Sequence, residues 1–436
     1  MVNFKNLVIV ATAVFRCTLG APTVTQGDII PDSYIITLKP TVKAADAKVH
    51  IKWVQNVHKR HLNKRDGAKG VERRYDGKSG FQGYAGSFSK ATIKAIQKRD
   101  DVQDIEPDRV WKLTLVKDPN ERLSAKDAED IEERDLEKRA MINQTGATWG
   151  LATVSHRDNS SPGYLYDSSA GSNTYAYVVD TGVRLSHSEF EGRATFGWTG
   201  FGAKKDDTHG HGTHVAGTIA GKTYGVAKNA QIVSVKIFDG LFTTTSTVIA
   251  GYNWAANDII NKGRTGRAAI NLSIGGGFSS AFNGAINAAF KSGVISVAAA
   301  GNANSDAWWT SPASATGAIA VGAIDSSWNI ATFSNWGNTV RIFAPGVGVK
   351  SAWFSSDTAT VMMSGTSMAT PHVVGLILSA FSVNKIASVN VITFLTQTAT
   401  ASKITGNLRG AANLIGNNGN LLQLPLRAPV KNKGQS

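Results

Sequence analysis

The sequence predicts an α/β protein built on a mostly parallel β-sheet with helices on both faces, preceded by a small α+β domain. Three observations carry this. After Ala140 charge thins out, glycine, alanine and serine rise, and apolar runs alternate with helical stretches, the pattern of a parallel sheet covered on both faces. Before it, residues 31–115 form a compact segment with strand and helix periods of its own. Between them, KDPNERLSAKDAEDIEERDLEKR (117–139) is almost purely polar.

Taken from the N-terminus, Lys5 precedes the apolar run 7–14, and Thr18, Gly20 and Ala21 follow. This layout predicts a signal peptide over 1–20. Cys17, the only cysteine, falls inside it, so the mature chain is expected to hold no disulfide. No later apolar run reaches the length of a membrane span. The net charge of +14 is spread thinly, without the basic and aromatic stripe of a nucleic-acid surface.

Residues 33–39 read as a strand, 45–62 as an amphipathic helix, 81–88 as a strand, 89–99 as a helix and 102–113 as two short strands. The stretch 116–139 reads as a solvated linker with some helical character. It ends in the dibasic Lys138-Arg139; Lys64-Arg65 and Lys98-Arg99 are similar pairs. Beyond it, strands are expected over 174–180, 231–238, 268–274, 293–299, 318–323 and 340–343, and helices over 211–220, 245–261, 280–292 and 366–380. Residues from 421 read as a surface tail. In such sheets sites gather beyond the carboxyl ends of the strands.

Asp180 ends one apolar strand. A carboxylate there needs a hydrogen-bonding partner, although Asp-Thr-Gly is also an ordinary turn. An aspartic protease needs two such motifs, and the chain has one. His209, His211 and His214 crowd into HGHGTH. By themselves they fit a metal site, a catalytic base beside bystanders, or structure; Gly210 and Gly212 suit close backbone approach. Ser367 opens a helix in which Pro371 is expected within the first turn or so. A serine there can be an N-cap, or a nucleophile with its own amide as an oxyanion donor, given an adjacent base. Asn302 follows a strand end and reads either as a turn residue or as a side-chain donor.

Together VVDTGV (178–183), HGHGTHVAG (209–217), NLSIGGG (271–277), AAAGN (298–302) and SGTSMATPHVVG (364–375) resemble the subtilisin-like serine proteases, most closely the proteinase K branch and its secreted fungal members. The resemblance runs from about Thr148 to about Leu414. It implies a subtilisin-like fold and a secreted, extracellular, broad-specificity endopeptidase working through an acyl-enzyme. By it, Asp180 orients His211, the base; Ser367 is the nucleophile; Asn302 and the Ser367 amide hold the oxyanion. Ser273, Ile274, Gly275, Gly276, Ala299, Ala300 and Gly301 would line the substrate cleft. The glycine run lacks the lysine of a phosphate loop.

The segment 31–115 resembles the family's inhibitory propeptide. The domains implied are a signal peptide over 1–20, a propeptide over 21–139 removed near Arg139, and a peptidase domain over 140–436. Implied partners are protein and peptide substrates and the chain's own propeptide, acting as inhibitor and folding chaperone. Neither nucleic acid nor membrane is expected, and the enzyme is expected to be a monomer. No cofactor is required. The family's main calcium site would use oxygens near Thr316 and Ala318 and a carboxylate, but the matching position is Arg341, a cation; that site is expected to be lost. Val215 stands where relatives often carry a cysteine. Asn143 and Asn159 head glycosylation sequons; Asn271 heads a third in an expected buried strand.

Overall fold

The computed structural model describes residues 27–61, 68–116, 131–136, 139–420 and 422–423. The expected signal peptide with Cys17, most of the polar linker, Lys138 and nearly all of the tail lie outside the described residues.

The N-terminal domain pairs strand Ile29–Leu38 antiparallel with Gly83–Ser87 on one side and Val102–Lys112 on the other. The period of two sends Ile36 and Leu38 to one face, where helices Ala44–His61 and Lys90–Gln97 cover them with Ile51, Val54, Ile93 and Ile96. Ile35 faces the other way, into a cluster with Trp111 and with Tyr252 and Phe282 of the larger domain. Both faces of this small sheet are therefore covered around Ile35, Ile36 and Leu38. Two expectations change. Residues 102–112 form one strand and not two, because Pro107 sits where the pairing register already shifts and no ladder bond is lost. Gly70–Tyr75, where no element is expected, is an edge strand with Glu72 and Arg74 outward.

The larger domain is a nine-stranded sheet in the order Thr400–Ala401, Leu414–Ile415, Val340–Pro345, Ala318–Ile324, Ile295–Ala299, Ala268–Leu272, Tyr175–Asp180, Gln231–Lys236, Ala194–Thr199. All its pairings are parallel except the outermost at Thr400–Ala401. The expected strands appear with ends shifted by a few residues. Half-exposed Ala194–Thr199 was not legible, since an edge strand needs no continuous apolar run. Helices His211–Ala220 and Thr366–Ser379 pack on one face, and Thr245–Asn261 and Ser280–Lys291 on the other. Among the described residues, Thr366–Asn384 is the helix long and apolar enough to cross a membrane, and it is almost wholly buried inside the domain.

The polar stretch before Ala140 differs from expectation. Ile131–Leu136 is a strand, paired antiparallel with Arg139–Gln144, which in turn pairs with Tyr164–Asp167. A free strand edge recruits backbone whether or not the recruit has an apolar face.

The two domains meet through helix ends. On strand Val102–Lys112, Glu106 accepts from the Ser279 hydroxyl at 2.6 Å and the Ala281 amide at 3.3 Å, capping helix Ser280–Lys291. Two residues on, Asp108 accepts from the Ser246 amide at 3.0 Å, capping helix Thr245–Asn261. The positive end of each helix thus meets a carboxylate. Burial pushes both carboxyls above their ordinary range, against the pull of these hydrogen bonds.

His50 is buried in the small domain's core, with Nδ1 2.9 Å from Asp101 Oδ2 and Nε2 3.0 Å from the Tyr84 hydroxyl. Burial lowers its pKa, with Asp101 opposing and Arg99 adding to the fall. A histidine that folds neutral and titrates normally when unfolded makes the unfolded state bind more protons below about pH 6.5. The small domain should therefore lose stability as pH falls through about 6.5 toward the folded value. The protection factors of the amides on strands Ile29–Leu38 and Gly83–Ser87, observed exchange corrected for the intrinsic rate at each pH, should fall as pH drops from about 7 to 5, and His50→Gln should flatten that dependence.

Candidate active site

Asp180 closes strand Tyr175–Asp180 and is fully buried. Its two oxygens lie 2.8 and 2.9 Å from His211 Nδ1, and Oδ1 also accepts from the Thr181 amide at 2.7 Å. With Nδ1 donating to a carboxylate, the other ring nitrogen is left as an acceptor. His211 Nε2 is buried and has no partner. The approach depends on Gly212: a Cβ there would collide with the Gly182 carbonyl and stand 3.2 Å from Asp180 Cβ. That is what the glycine beside the histidine is for.

A second buried carboxylate, missed in the sequence, fixes this pair. Asp207 Oδ1 accepts from the Thr181 hydroxyl at 2.9 Å and from the His209 and Gly210 amides at 3.0 and 2.8 Å. Oδ2 accepts from the Thr213 amide at 3.0 Å and its hydroxyl at 2.5 Å. Asp207 thus caps the helix that carries His211 and ties it to the residue after Asp180. Thr181 Oγ1 also accepts from the Gly212 amide at 2.9 Å. Lys236, opposite Asp180 in the sheet and fully buried, donates to the Thr181 carbonyl at 2.5 Å. Burial lowers its pKa, against the field of Asp207, Asp239 and Asp180. An acidic residue just before a glycine-rich helix start was the available signal.

The three histidines have separate surroundings. His214 Nε2 bonds the Val349 carbonyl at 2.9 Å, and burial drives its pKa to about 3. Burial also lowers half-buried His209. Among the described residues no three or more histidine, cysteine, aspartate or glutamate side chains converge as a metal-binding group.

Ser367 is the second residue of helix Thr366–Ser379, which packs against helix His211–Ala220. Pro371 lies early in the second turn. Having no N–H, it leaves the Ser367 carbonyl, four residues back, without its helical donor. Ser273 supplies one: its hydroxyl donates to the Ser367 carbonyl at 2.7 Å. In return the Ser367 hydroxyl donates to the Ser273 carbonyl at 3.0 Å. The proline is tolerated because the cleft wall takes over the vacant acceptor.

Asn302 Oδ1 accepts from the Thr366 amide and hydroxyl, both at 2.8 Å. This fixes the side-chain amide with its N–H₂ on the open side. A Cβ at Gly365 would stand 3.5 Å from Asn302 Nδ2 and 3.6 Å from the Ser367 amide nitrogen. The two donors therefore border one small space, kept clear by the missing side chain.

That space opens on a cavity of about 330 Å³ that Ser273, Ile274, Gly275, Gly276, Ala299 and Gly301 help to line, together with Asn302 and Ser367. Ala300 does not line it: its side chain enters the core with Ala320 and Phe343, and its amide bonds the Val321 carbonyl. Trp309, Thr310 and Asn335, which no motif flagged, do line it. Asn335 holds the loop after Ala299 by donating to the Ala300 carbonyl at 2.9 Å and accepting from the Ala303 and Ser305 amides. Leu113 and Thr114 of the preceding domain enter the same cavity. Of the sequon residues, Asn159 is exposed, Asn143 is half-buried in a paired strand and Asn271 is fully buried.

Two family models match the chain: the subtilase family over residues 142–417 and the peptidase inhibitor I9 family over 33–114. An alkaline proteinase of Hapsidospora chrysogena is 45% identical over 96% of this chain and 100% of its own length. A cuticle-degrading serine protease of Arthrobotrys oligospora is 40% identical over 89% of this chain and 91% of its own. Among solved structures, a cold-adapted subtilisin-like serine proteinase is 39% identical with a TM-score of 0.57, covering 63% of this chain and 99% of that one. A parallel sheet ending in Asp180, a buried imidazole bonded to it, and matches of this length have one reading: the chain belongs to the subtilase family of serine proteases and carries a peptidase inhibitor I9 domain ahead of its catalytic domain.

Proposed function

We propose that this chain is the zymogen of a secreted, broad-specificity serine endopeptidase in which Ser367, His211 and Asp180 do the chemistry. The observation that carries the reading is the buried His211 whose Nδ1 is committed to Asp180 while Nε2 stands without a partner. An imidazole so held is a general base in the required tautomer. When substrate enters, the Ser367 hydroxyl leaves the Ser273 carbonyl by rotating about χ1 to another staggered position. Its proton passes to His211 Nε2 as its oxygen attacks the peptide carbonyl. The Asn302 side chain and the Ser367 amide receive the oxyanion in the space above Gly365. His211 then protonates the leaving amine, and water repeats the sequence on the acyl-enzyme.

Substrate pairs its backbone with the cleft edges around Ser273–Gly276 and Ala299–Gly301, which is tolerant of sequence. The walls of alanine, glycine and isoleucine suit apolar and aromatic side chains. The two cuticle-degrading and alkaline relatives, both from fungi, support an extracellular role for this chain, as does its N-terminal pattern. Its own I9 domain is the inhibitory partner. The thinly spread positive charge supports neither a nucleic-acid nor a membrane partner, and we assign a monomer.

The reading requires no cofactor. The calcium position implied by the family does not fit: Arg341 is an exposed cation at a bulge between Val340 and Ile342, and the cavity beside it is lined by Ile319, Ile392, Leu395 and Leu414 with no carboxylate. Calcium prefers six to eight oxygens, and no catalytic step passes through it.

Three outcomes follow. A fluorophosphonate probe should label the mature enzyme, and Ser367→Ala should abolish labelling; an unlabelled mature enzyme ends the reading. Asn302→Ala should lower kcat by about 10²–10³-fold with little change in KM, the magnitude found in subtilisin, a member of the same family. Calorimetric titration with calcium should give no heat that depends on the Thr316–Ala318 neighbourhood, and Arg341→Asp should create one.

A further inference from the structure

We propose that Phe278, Trp308 and Trp309 form an exosite, an aromatic ledge beside the catalytic cleft that holds apolar side chains of a protein substrate outside the stretch being cut. This rests on the catalytic reading above and adds a second contact surface to it.

The ledge grows out of a two-stranded pair. Gly276 and Gly277 pair antiparallel with Ser311 and Thr310. Phe278 follows Gly277 and Trp309 precedes Thr310, so the register sends both off the same end of the pair. Trp308 comes next on the second strand. All three side chains stand in solvent, with 51% of Phe278, 52% of Trp308 and 69% of Trp309 exposed. A Cβ on Gly277 would meet no atom within 4 Å, so open space lies beside the rings. Gly277 lines both the cavity that Phe278 borders and the one that Trp309 borders, which also holds Ser367. The ledge and the cleft are one continuous surface.

A single exposed apolar side chain is ordinary; three of them on one firm mount mark a contact surface. Asp306 Oδ1 accepts from the Trp308 amide at 2.9 Å, and its carbonyl accepts from the Trp309 amide at 3.3 Å. Between them the Ala307 amide donates to the Trp336 carbonyl at 3.0 Å, and the Ala307 side chain is buried. On the other strand the Ser279 amide donates to the Ser311 hydroxyl at 2.9 Å, and that hydroxyl donates to Asn283 Oδ1 at 2.8 Å. Rings presented by a fixed backbone lose little freedom when covered. Trp111, Trp328 and Trp336 donate their indole N–H to threonine or asparagine oxygens. Among the described residues neither Trp308 nor Trp309 has such a partner.

The surroundings select the occupant. No lysine, arginine, aspartate or glutamate of the catalytic domain lines either cavity, so nothing there attracts an anionic surface. The same strip already receives an aromatic side chain from a polypeptide: a Cβ on Gly276 would come within 2.6 Å of the Trp111 ring. Phe278 shares a cavity of about 300 Å³ with Pro107 and Trp111 of the I9 domain. A protein chain bearing apolar side chains therefore continues a surface that a protein chain already covers. Each free indole adds an N–H for a backbone carbonyl. A short peptide confined to the cleft leaves the ledge bare, whereas a packed apolar protein reaches both.

The test compares the mature secreted enzyme with its Phe278→Ala/Trp308→Ala variant on zein particles, an insoluble apolar protein, and on a tetrapeptide anilide. Adsorption to zein is measured after inactivation with a fluorophosphonate, and turnover of both substrates on untreated samples. The variant is expected to adsorb roughly tenfold more weakly, the scale of losing two interface aromatics, and to lose zein turnover to a similar extent. Its anilide turnover and melting temperature should stay unchanged, and Phe278→Tyr/Trp308→Phe should retain adsorption. Unchanged adsorption overturns the proposal, as does an equal loss on zein and anilide. So does adsorption to chitin powder that exceeds adsorption to zein and disappears in the variant, which would make a polysaccharide the occupant. A parent enzyme that neither takes the fluorophosphonate label nor turns over the anilide overturns the catalytic reading; a labelled, active enzyme whose adsorption ignores the two substitutions overturns this inference alone.

Discussion

The structure turns on one buried interaction, the paired contact of His211 Nδ1 with the Asp180 carboxylate at 2.8 and 2.9 Å. A fully buried carboxylate is costly unless its lone pairs are filled. Here the imidazole and the Thr181 amide fill them. Much of the local sequence serves that arrangement. The parallel strand delivers Asp180 to the sheet's carboxyl edge, Gly212 lets a helix come within touching distance of it, and Asp207 caps that helix while gripping Thr181. Lys236 secures the same threonine from the neighbouring strand. The histidine has little freedom left, which suits the base it is proposed to be.

The Ser367 side of the site is held by exchange of hydrogen bonds rather than by burial of charge. Pro371 opens a gap in its own helix, and Ser273 closes it from the cleft wall. A residue that lines the cavity is thus also the one that anchors the carbonyl of Ser367. The same cleft edges and the two helix starts beside them receive the I9 domain, through Trp111, Glu106 and Asp108. On the proposed reading, inhibition and substrate recognition use one set of contacts, once by a folded domain and once by an extended peptide. Capping two helices by carboxylates two residues apart on one strand sets the register of that strand against the larger domain.

Much of this was legible in the sequence, for identifiable reasons. Helices such as Thr245–Asn261 and buried strands such as Ala268–Leu272 announce themselves by periodicity, and the glycines around His211 signalled close approach. What escaped was what depends on partners far away in the chain. Asp207 reads as one of two acidic residues in a loop until its five donors are seen. Pro371 was expected within the first turn or so; its tolerance early in the second depends on Ser273, almost a hundred residues earlier. Ala300 sits between two cleft residues and yet faces the core. Strand Ile131–Leu136 has no apolar pattern, since only a neighbouring edge makes it a strand.

The most direct measurement is a crystal structure of the mature enzyme with a peptide boronic acid. A boron atom bonded to Ser367 Oγ is predicted, with one boronate oxygen about 2.7–3.1 Å from both Asn302 Nδ2 and the Ser367 amide and His211 Nε2 within hydrogen-bonding reach of the adduct. A boronate attached elsewhere, or attached to Ser367 with its oxygen turned away from Asn302 and His211 parted from Asp180, would contradict the account.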